Sequence, residues 1–323
     1  MLKMKTYRTN EFLNYISQKY YNPDKNKIAW EHYPFPACIY SFSDPWFYTV
    51  GDILYMLRIM GFQIGFREQH YYFVHTNPRI CPSICVGDRL IDVHYSNGTE
   101  KSKPFNQIEI LFMNSTGTIQ TVFIRKPHST MTQRPANYKI ICPHVVYIKI
   151  PTFSVLDVQQ IGRHLKNVEY LFIDLQDNMG GSINDMLKVL SFFSNCSCCF
   201  NVEDSDECIH SVRIEPSYLN LSKLRTVVFQ VNGKTASSAE MFLIMLRAIY
   251  PGRILGEKTM GKAVIQDFVR VNDYHIAMPV YHFQAPEIRG GSTTVVDDSN
   301  RIIPDIQGFL PSTEDAFLQA FDF

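Results

Sequence analysis

Leu171-Phe172-Ile173-Asp174-Leu175, followed by Gln176-Asp177-Asn178-Met179-Gly180-Gly181, is a nearly unbroken apolar run that stops at a glycine turn. A short apolar run bounded by turn signals reads as a strand buried on both faces. The glycine pair supplies the positive φ that a tight strand-to-helix turn needs, and a helix is predicted from about 183 to 194. The same unit recurs on both sides. Val145 to Ile150 predicts a strand and Val155 to Leu165 a helix; Thr226 to Val231 predicts another buried strand, and 238–249 another helix. Strands alternating with helices give the fold class α/β, with a largely parallel sheet.

Upstream the period changes to two. Ile64 to Arg67, Tyr71 to His75, Arg89 to His94, Ile108 to Met113 and Ile119 to Ile124 predict short strands, the last two joined around Asn114-Ser115-Thr116-Gly117. They make a small β-rich module. Before it, Phe12, Leu13, Ile16 and Tyr20 recur at helical spacing, as do Ile53, Leu54, Leu57 and Met60, with Tyr33-Pro34-Phe35-Pro36 breaking the two apart. The expected organisation is a helical segment over 1–60, the β-rich module over 61–127 and the α/β domain over 138–323. The polar stretch Lys126 to Asn137, with two prolines, serves as a linker.

Composition bounds the function classes. An apolar fraction of 46% suffices for a packed core. Thirty-one basic and 31 acidic residues cancel, which argues against a nucleic-acid or anionic-membrane surface as the main business. No window approaches the run of about 18 apolar residues that a membrane span needs. Met1 to Arg8 is polar and basic with no signal-peptide core behind it, so a cytoplasmic protein with reduced thiols is expected if this is the native start. Cys196, Cys198, Cys199 and Cys208 with His210 have the spacing of no common zinc module. They read as a thiol-rich loop, and no metal is expected.

Two stretches carry chemistry. Thr235-Ala236-Ser237-Ser238-Ala239-Glu240 opens an apolar helix. Its bland reading is a capping box, serine at the N-cap and glutamate three residues on. Gly256-Glu257-Lys258-Thr259-Met260-Gly261-Lys262, with Gln266 beyond, is a glycine turn bearing a lysine. Its bland reading is a surface turn. Together they suggest a hydrolase. A serine hydroxyl is a poor nucleophile until a base takes its proton, and a lysine kept neutral among Met260, Ala263, Val264 and Ile265 can do so. The glycine pair at 180–181 and the N–H of Ser238, at a helix N-terminus, would then face the oxyanion. Neither phosphate-binding glycine pattern is present at that turn. None of the ten histidines has metal-ligand spacing, and His70, His75, His94 and His144 could join a serine only by tertiary accident.

In combination these stretches resemble the carboxyl-terminal processing (tail-specific) serine peptidases. Val146 to Phe153 is similar to the family's "gYIrIpsF" strand and Leu171 to Gly181 to its "liiDLRnNpGG" turn. Thr235 to Glu240 and Gly256 to Gln266 are similar to "TASASE" and "GepTyGKgxxQ", and Ile303-Pro304-Asp305 with Asp315 to Ala320 to its closing stretch. The resemblance covers roughly 140–320. It implies a crotonase/ClpP-like α/β catalytic domain that cleaves polypeptides through an acyl-enzyme, without metal or nucleotide cofactor. Ser237 would be the nucleophile, Lys262 the general base and Gln266 its orienter, with oxyanion donors from Gly180 or Gly181 and Ser238. Gln176 departs from the family, which often has arginine there, and Ser238-Ala239 reverses the usual order.

The β-rich module resembles the family's PDZ-like domain less closely. Gln63-Ile64-Gly65-Phe66 stands where the loop that holds a peptide carboxylate would be, and Val86 to Ile91 is similar to "pGDrIl". Pro78 to Cys85 replaces the usual helix. The expected partner is a polypeptide substrate engaged near its C-terminus. A homo-oligomer through the first 60 residues stays open, as does the alternative of a non-catalytic protein that binds peptides or hydrophobic ligands on the same fold.

Overall fold

The computed structural model describes residues 5–21, 47–50, 57, 60, 62–78, 80–95, 107–125, 137–153, 158–194, 198–215, 221, 223–272, 274–284, 286 and 291–308. In chain order the described elements are β1 (Lys5–Tyr7), α1 (Thr9–Lys19), β2 (Tyr48–Val50), β3 (Gln63–Arg67), β4 (His70–His75), β5 (Arg89–Tyr95), β6 (Gln107–Met113) and β7 (Ile119–Arg125). Then come β8 (Asn137–Cys142), β9 (Val145–Lys149), α2 (Val158–Leu165), β10 (Tyr170–Asp174), α3 (Ile183–Phe193), β11 (Cys198–Glu203) and β12 (Ile209–Ile214). The last are β13 (Thr226–Val231), α4 (Ser238–Ile249), β14 (Ile254–Gly256), β15 (Val264–Val271), β16 (Tyr274–Gln284) and β17 (Ile306–Gln307). The fold is α/β with mixed sheets and few helices. No described helix is long and apolar enough to cross a membrane.

The chain forms two compact units. One comprises Met131–Ile265 and His282–Phe323. Its sheet runs β17-β14-β13-β10-β9-β8. β9, β10, β13, β14 and β17 are parallel, in registers such as Tyr170↔Val145, Tyr170↔Thr226 and Phe229↔Ile254, and β8 closes the edge antiparallel. Burial on both faces explains the apolar runs Leu171 to Ile173 of β10 and Val227 to Phe229 of β13. Close approach fixes one residue type here: a Cβ on Gly256 would lie 2.1 Å from the Val231 carbonyl oxygen. Helix α3 starts at Ser182, whose hydroxyl accepts from Asp185 N at 3.3 Å. Its stripe Met186, Val189, Leu190 and Phe193 is buried. Phe193 meets Phe242 of α4 edge-on at 6.0 Å, and the Tyr250 hydroxyl donates to the Phe193 carbonyl.

Here too β11 and β12 form an antiparallel hairpin, with β11 also pairing the end of β16. This corrects the expected thiol-rich loop. Phe200 and Val202 are buried and Cys199 is exposed, an alternation that puts Cys198 and Cys199 in a strand. Cys196 lies outside the described residues.

The other unit comprises Met1–Thr130 and Gln266–Tyr281. The five strands read from the two-residue period form one antiparallel sheet, β3-β4-β5-β6-β7. β1 pairs parallel with Val269–Val271 of β15, and β2 antiparallel with His275–Ala277 of β16. One core joins Phe12 and Ile16 of α1, Phe62, Phe73 and Phe112 of the sheet region, and Val269, Ile276 and Met278. The units therefore cut the chain differently from the three expected segments. The described residues among the first 60 share a core with the β-rich module, and 266–281 joins them because β1 and β2 pair with it. Lys5–Tyr7 and Tyr48–Val50 are strands within the segment expected to be helical. The helix predicted around 53–60, Leu57 and Met60 apart, and the linker, apart from Asn137, lie outside the described residues.

Candidate active site

The parallel strands β9, β10, β13 and β14 end at one edge of their sheet, where open α/β sheets place their ligands. The loops leaving three of them carry the sequence-predicted residues. After β10, Asn178 is fully buried and acts as a staple: its Nδ2 donates to the Ile150 carbonyl at 2.9 Å, its Oδ1 accepts from Gly180 N at 2.9 Å, and its carbonyl accepts from Ala236 N at 3.0 Å. Asp174, also buried, accepts from Tyr147 Oη, Lys149 Nζ and Gln176 N, which fixes the start of the loop. Burial pushes the Asp177 carboxyl up, but the Asn232 hydrogen bond and the charges of Lys234 and Lys149 outweigh it and hold the pKa below its ordinary value.

After β13, the Thr235 hydroxyl donates to the Leu175 carbonyl at 2.9 Å, and the Thr235 carbonyl accepts from Met260 N at 2.9 Å. Ser237 follows with φ 57° and ψ −125°, a conformation that L residues avoid. Strain of this kind amounts to roughly 1–3 kcal/mol and persists only where surroundings impose it. Gly180, at φ 88°, makes room for Ser237: a Cβ there would meet the Ala236 carbonyl oxygen at 2.7 Å and Ser237 Cβ at 2.8 Å.

After β14 comes the lysine turn. Glu240 of α4, only 4% exposed, ties it to the serine turn. Glu240 Oε2 accepts from Ser237 N at 2.8 Å and from Lys262 N at 2.9 Å; Oε1 accepts from Gly261 N at 2.8 Å and from the Thr259 hydroxyl. Two nitrogens bound to one oxygen can be no further apart than about 6 Å, twice a hydrogen-bond length. The backbones of Ser237 and Lys262 are therefore held side by side, within the reach of a lysine side chain. Burial pushes the Glu240 carboxyl above its ordinary value, against the pull of these four donors. The serine turn is thus more than a helix cap: Glu240 closes the expected bond to Ser237 N and takes a second segment as well.

The structure brings Ser237, Ser238, Gly180, Gly181 and Lys262 together in one unit. Gly180 N–H donates to Asn178 Oδ1 at 2.9 Å. Gly181 and Ser238 remain adjacent, with Ser238 Oγ 3.4 Å from the Gly181 carbonyl. Ser238 N–H heads α4, where the helix dipole favours negative charge. Gln266 is half-buried on β15 and belongs to the other unit. Gln63, Ile64, Gly65 and Phe66 lie in strand β3, paired with β4, which is the strand that the two-residue period predicts over Ile64 to Arg67.

His144 hydrogen-bonds the Asn167 carbonyl at the opposite, N-terminal edge of the sheet. His210 bonds Asp204 in the β11–β12 turn. Among the described residues no group of His, Cys, Asp and Glu could hold a metal. Sequence reasoning missed the coupling duty of Glu240 and the part of Thr259. Thr259 stood inside the quoted lysine turn, yet nothing in its spacing named Glu240 as its partner.

Residues 144–307 match the family model described as Peptidase family S41. The chain is 21% identical over 184 residues to a "Probable CtpA-like serine protease" of Staphylococcus epidermidis, spanning 53% of this chain and 38% of that protein. It is 25% identical over 140 residues to the "Tail-specific protease" of Haemophilus influenzae, spanning 42% of this chain and 20% of that protein. The matched part is thus well under half of these curated relatives' length. Among solved structures, the photosystem II D1 C-terminal processing protease aligns with a TM-score of 0.53 at 17% identity, over 91% of this chain and 90% of that one, a likeness of fold.

Proposed function

Because the chain belongs to peptidase family S41, we propose that it is a serine endopeptidase in which Ser237 is the nucleophile and Lys262 the general base. The observation that carries this reading is the single oxygen, Glu240 Oε2, that takes both the Ser237 and the Lys262 N–H. A carboxylate in that position holds a nucleophile and an amine in register before substrate arrives.

The Lys262 amine removes the Ser237 hydroxyl proton as Oγ bonds to the scissile carbonyl carbon. Negative charge moves to the carbonyl oxygen, which the Gly181 and Ser238 N–H groups receive. Such donors are worth about 10² to 10³ in rate apiece. The lysine ammonium then protonates the leaving amine as the C–N bond breaks. Water, deprotonated by the same lysine, hydrolyses the remaining ester and restores Ser237. The role of Gln266 as orienter of the amine rests on the family resemblance alone.

The α/β unit is read as crotonase/ClpP-like and the β-rich sheet as PDZ-like. Two features support engagement of a chain end. Strand β3 lies at the end of its sheet with one described neighbour, β4, so an extended peptide could add beside it. A cavity of about 220 Å³, lined by residues including Gly65, Arg67, Tyr72, Val74 and Val86, lies against the same strand.

The test is turnover of an unfolded protein by the wild type and by Ser237→Ala. Loss of cleavage in the variant supports the reading; equal turnover sinks it. For the tail-specific part, a peptide amidated at its C-terminus should be cut more slowly than the free acid, and equal rates would remove that part alone.

A further inference from the structure

Thr259 stands between the Glu240 carboxylate and a loop near the end of the described chain. It is 2% exposed, and its hydroxyl both donates to Glu240 Oε1 and accepts from Ile302 N at 2.9 Å. Its own N–H donates to the Ile302 carbonyl at 3.2 Å, so the two residues exchange backbone and side-chain bonds. Ile302 is buried and bridges Val296. Between them the chain winds around Asp297, whose carboxylate accepts from Ser299 N at 3.0 Å, Arg301 N at 3.1 Å and Arg301 Nε at 3.0 Å, and lies 3.3 Å from Lys258 Nζ. The loop presses on the lysine turn: a Cβ on Gly261 would lie 2.3 Å from the Ser299 carbonyl oxygen.

We propose that Thr259 is a positioning residue, whose hydroxyl locks the serine and lysine turns, through Glu240, to the loop at 297–302. The claim rests on the assignment of Ser237 and Lys262 above. A carboxylate is rigid and planar, so whatever sets Oε1 also sets Oε2, the atom on which the Ser237 and Lys262 N–H groups converge. A hydroxyl is suited to the junction because it can donate one proton and accept another. Valine has nearly the same shape, but it would leave a buried carboxylate oxygen and the buried Ile302 N–H each one partner short. The rest of the site would have to shift to compensate, and a displacement of about 1 Å in a reacting pair is enough to slow the chemistry about a hundredfold.

The experiment compares the full chain carrying Thr259→Val, which lacks the hydroxyl, with Thr259→Ser, which keeps it. Two quantities are read: amide hydrogen exchange at Gly261 and Lys262, and the rate at which a fluorophosphonate probe labels Ser237, a reaction that needs no bound peptide. In Thr259→Val, exchange at both amides should rise about tenfold or more, and labelling should slow by about a hundredfold. Thr259→Ser should stay close to wild type in both. Unchanged exchange in Thr259→Val overturns the brace. Faster exchange with undiminished labelling, or equal loss in the serine variant, overturns the positioning role. A wild type that neither takes the probe nor outperforms Ser237→Ala counts against the nucleophile assignment instead, while the exchange contrast still decides the brace. If Thr259→Val does not fold, Thr259→Ala removes the same hydroxyl with less crowding.

Discussion

Glu240 and Asp204 do the same job in two places and on two scales. Each is a carboxylate that gathers N–H donors and so shapes a turn. The donors of Asp204 are its near neighbours: Asp206 N at 2.9 Å, Cys208 N at 3.0 Å and His210 Nε2 at 2.7 Å. Those of Glu240 come from Ser237 on one side and from Thr259, Gly261 and Lys262 on the other. The surroundings also differ. Burial raises the Glu240 pKa, whereas the His210 hydrogen bond, with those of Asp206 and Cys208, takes Asp204 down to about 2. Asp204 builds a hairpin tip from donors within six residues of itself. Glu240 is buried because it joins distant segments, and its burial is why the joint is electrostatically uphill.

The contrast is most easily broken at Glu240 itself. In Glu240→Gln the amide NH₂ must face one of the donor sets, Ser237 and Lys262 or Thr259 and Gly261. We expect kcat for peptide cleavage to fall by about 10³ or more, the sum of a displaced nucleophile and a displaced base. Stability at neutral pH should change by no more than about 3 kcal/mol, because a buried hydrogen-bonding group is mismatched but the core is intact. Steady-state kinetics beside urea unfolding checks both. A variant within tenfold of wild-type kcat would show that the clasp does not govern the chemistry.

Two glycines give the next largest effect. Gly180 and Gly117 have nearly the same positive φ, 88° and 81°. A Cβ on Gly117 would meet nothing within 4 Å, while one on Gly180 would collide with Ala236 and Ser237. Gly117→Ala should therefore lose about 1 kcal/mol for backbone conformation alone and leave cleavage untouched. Gly180→Ala should lose more stability and about a hundredfold in kcat, since the collision moves the serine. Equal effects on cleavage would mean that the serine turn tolerates displacement.

The same division between near and far partners decides what could be read from the sequence. β10, β13, α3 and α4 were legible almost to the residue, because a buried run followed by Asn178 to Gly181, or by Thr235 to Glu240, is a local signal. All five strands of the β-rich sheet were legible for the same reason. The pairing of Lys5–Tyr7 with Val269–Val271 was not, since no periodicity reports a partner that far along the chain. At the site, Ser237 and Lys262 came from motif and resemblance, and Glu240 was visible as a cap. Its second set of donors was not, and neither was the Asn178 side chain that takes up Gly180 N–H.

Opposite pKa directions predict opposite pH slopes. A folded pKa above the ordinary glutamate value of 4.5 means that the folded state binds the Glu240 proton more tightly than the unfolded state does. The stability so contributed is full below that value and is lost as pH rises through the folded pKa. Wild type measured against Glu240→Gln should therefore be relatively most stable in acid and lose ground as pH rises. Urea midpoints for both proteins from pH 4 to pH 8 read this directly. A flat difference would place the Glu240 carboxylate in a wetter setting than its burial indicates.

Asp204→Asn should give the smallest effect and the reverse slope. With its folded pKa near 2 against an ordinary 3.8, Asp204 contributes stability that is present above 3.8 and lost as pH falls toward 2. The wild-type advantage over Asp204→Asn should shrink as pH falls below about 4. Solvent around the hairpin tip keeps that advantage small. Cleavage at neutral pH should be unchanged, because every donor to Asp204 lies between residues 206 and 210 and none belongs to the serine or lysine turn. A loss of cleavage in this variant would mean that the hairpin communicates with the active site, and the separation between a turn built from neighbours and a joint built across the chain would no longer hold.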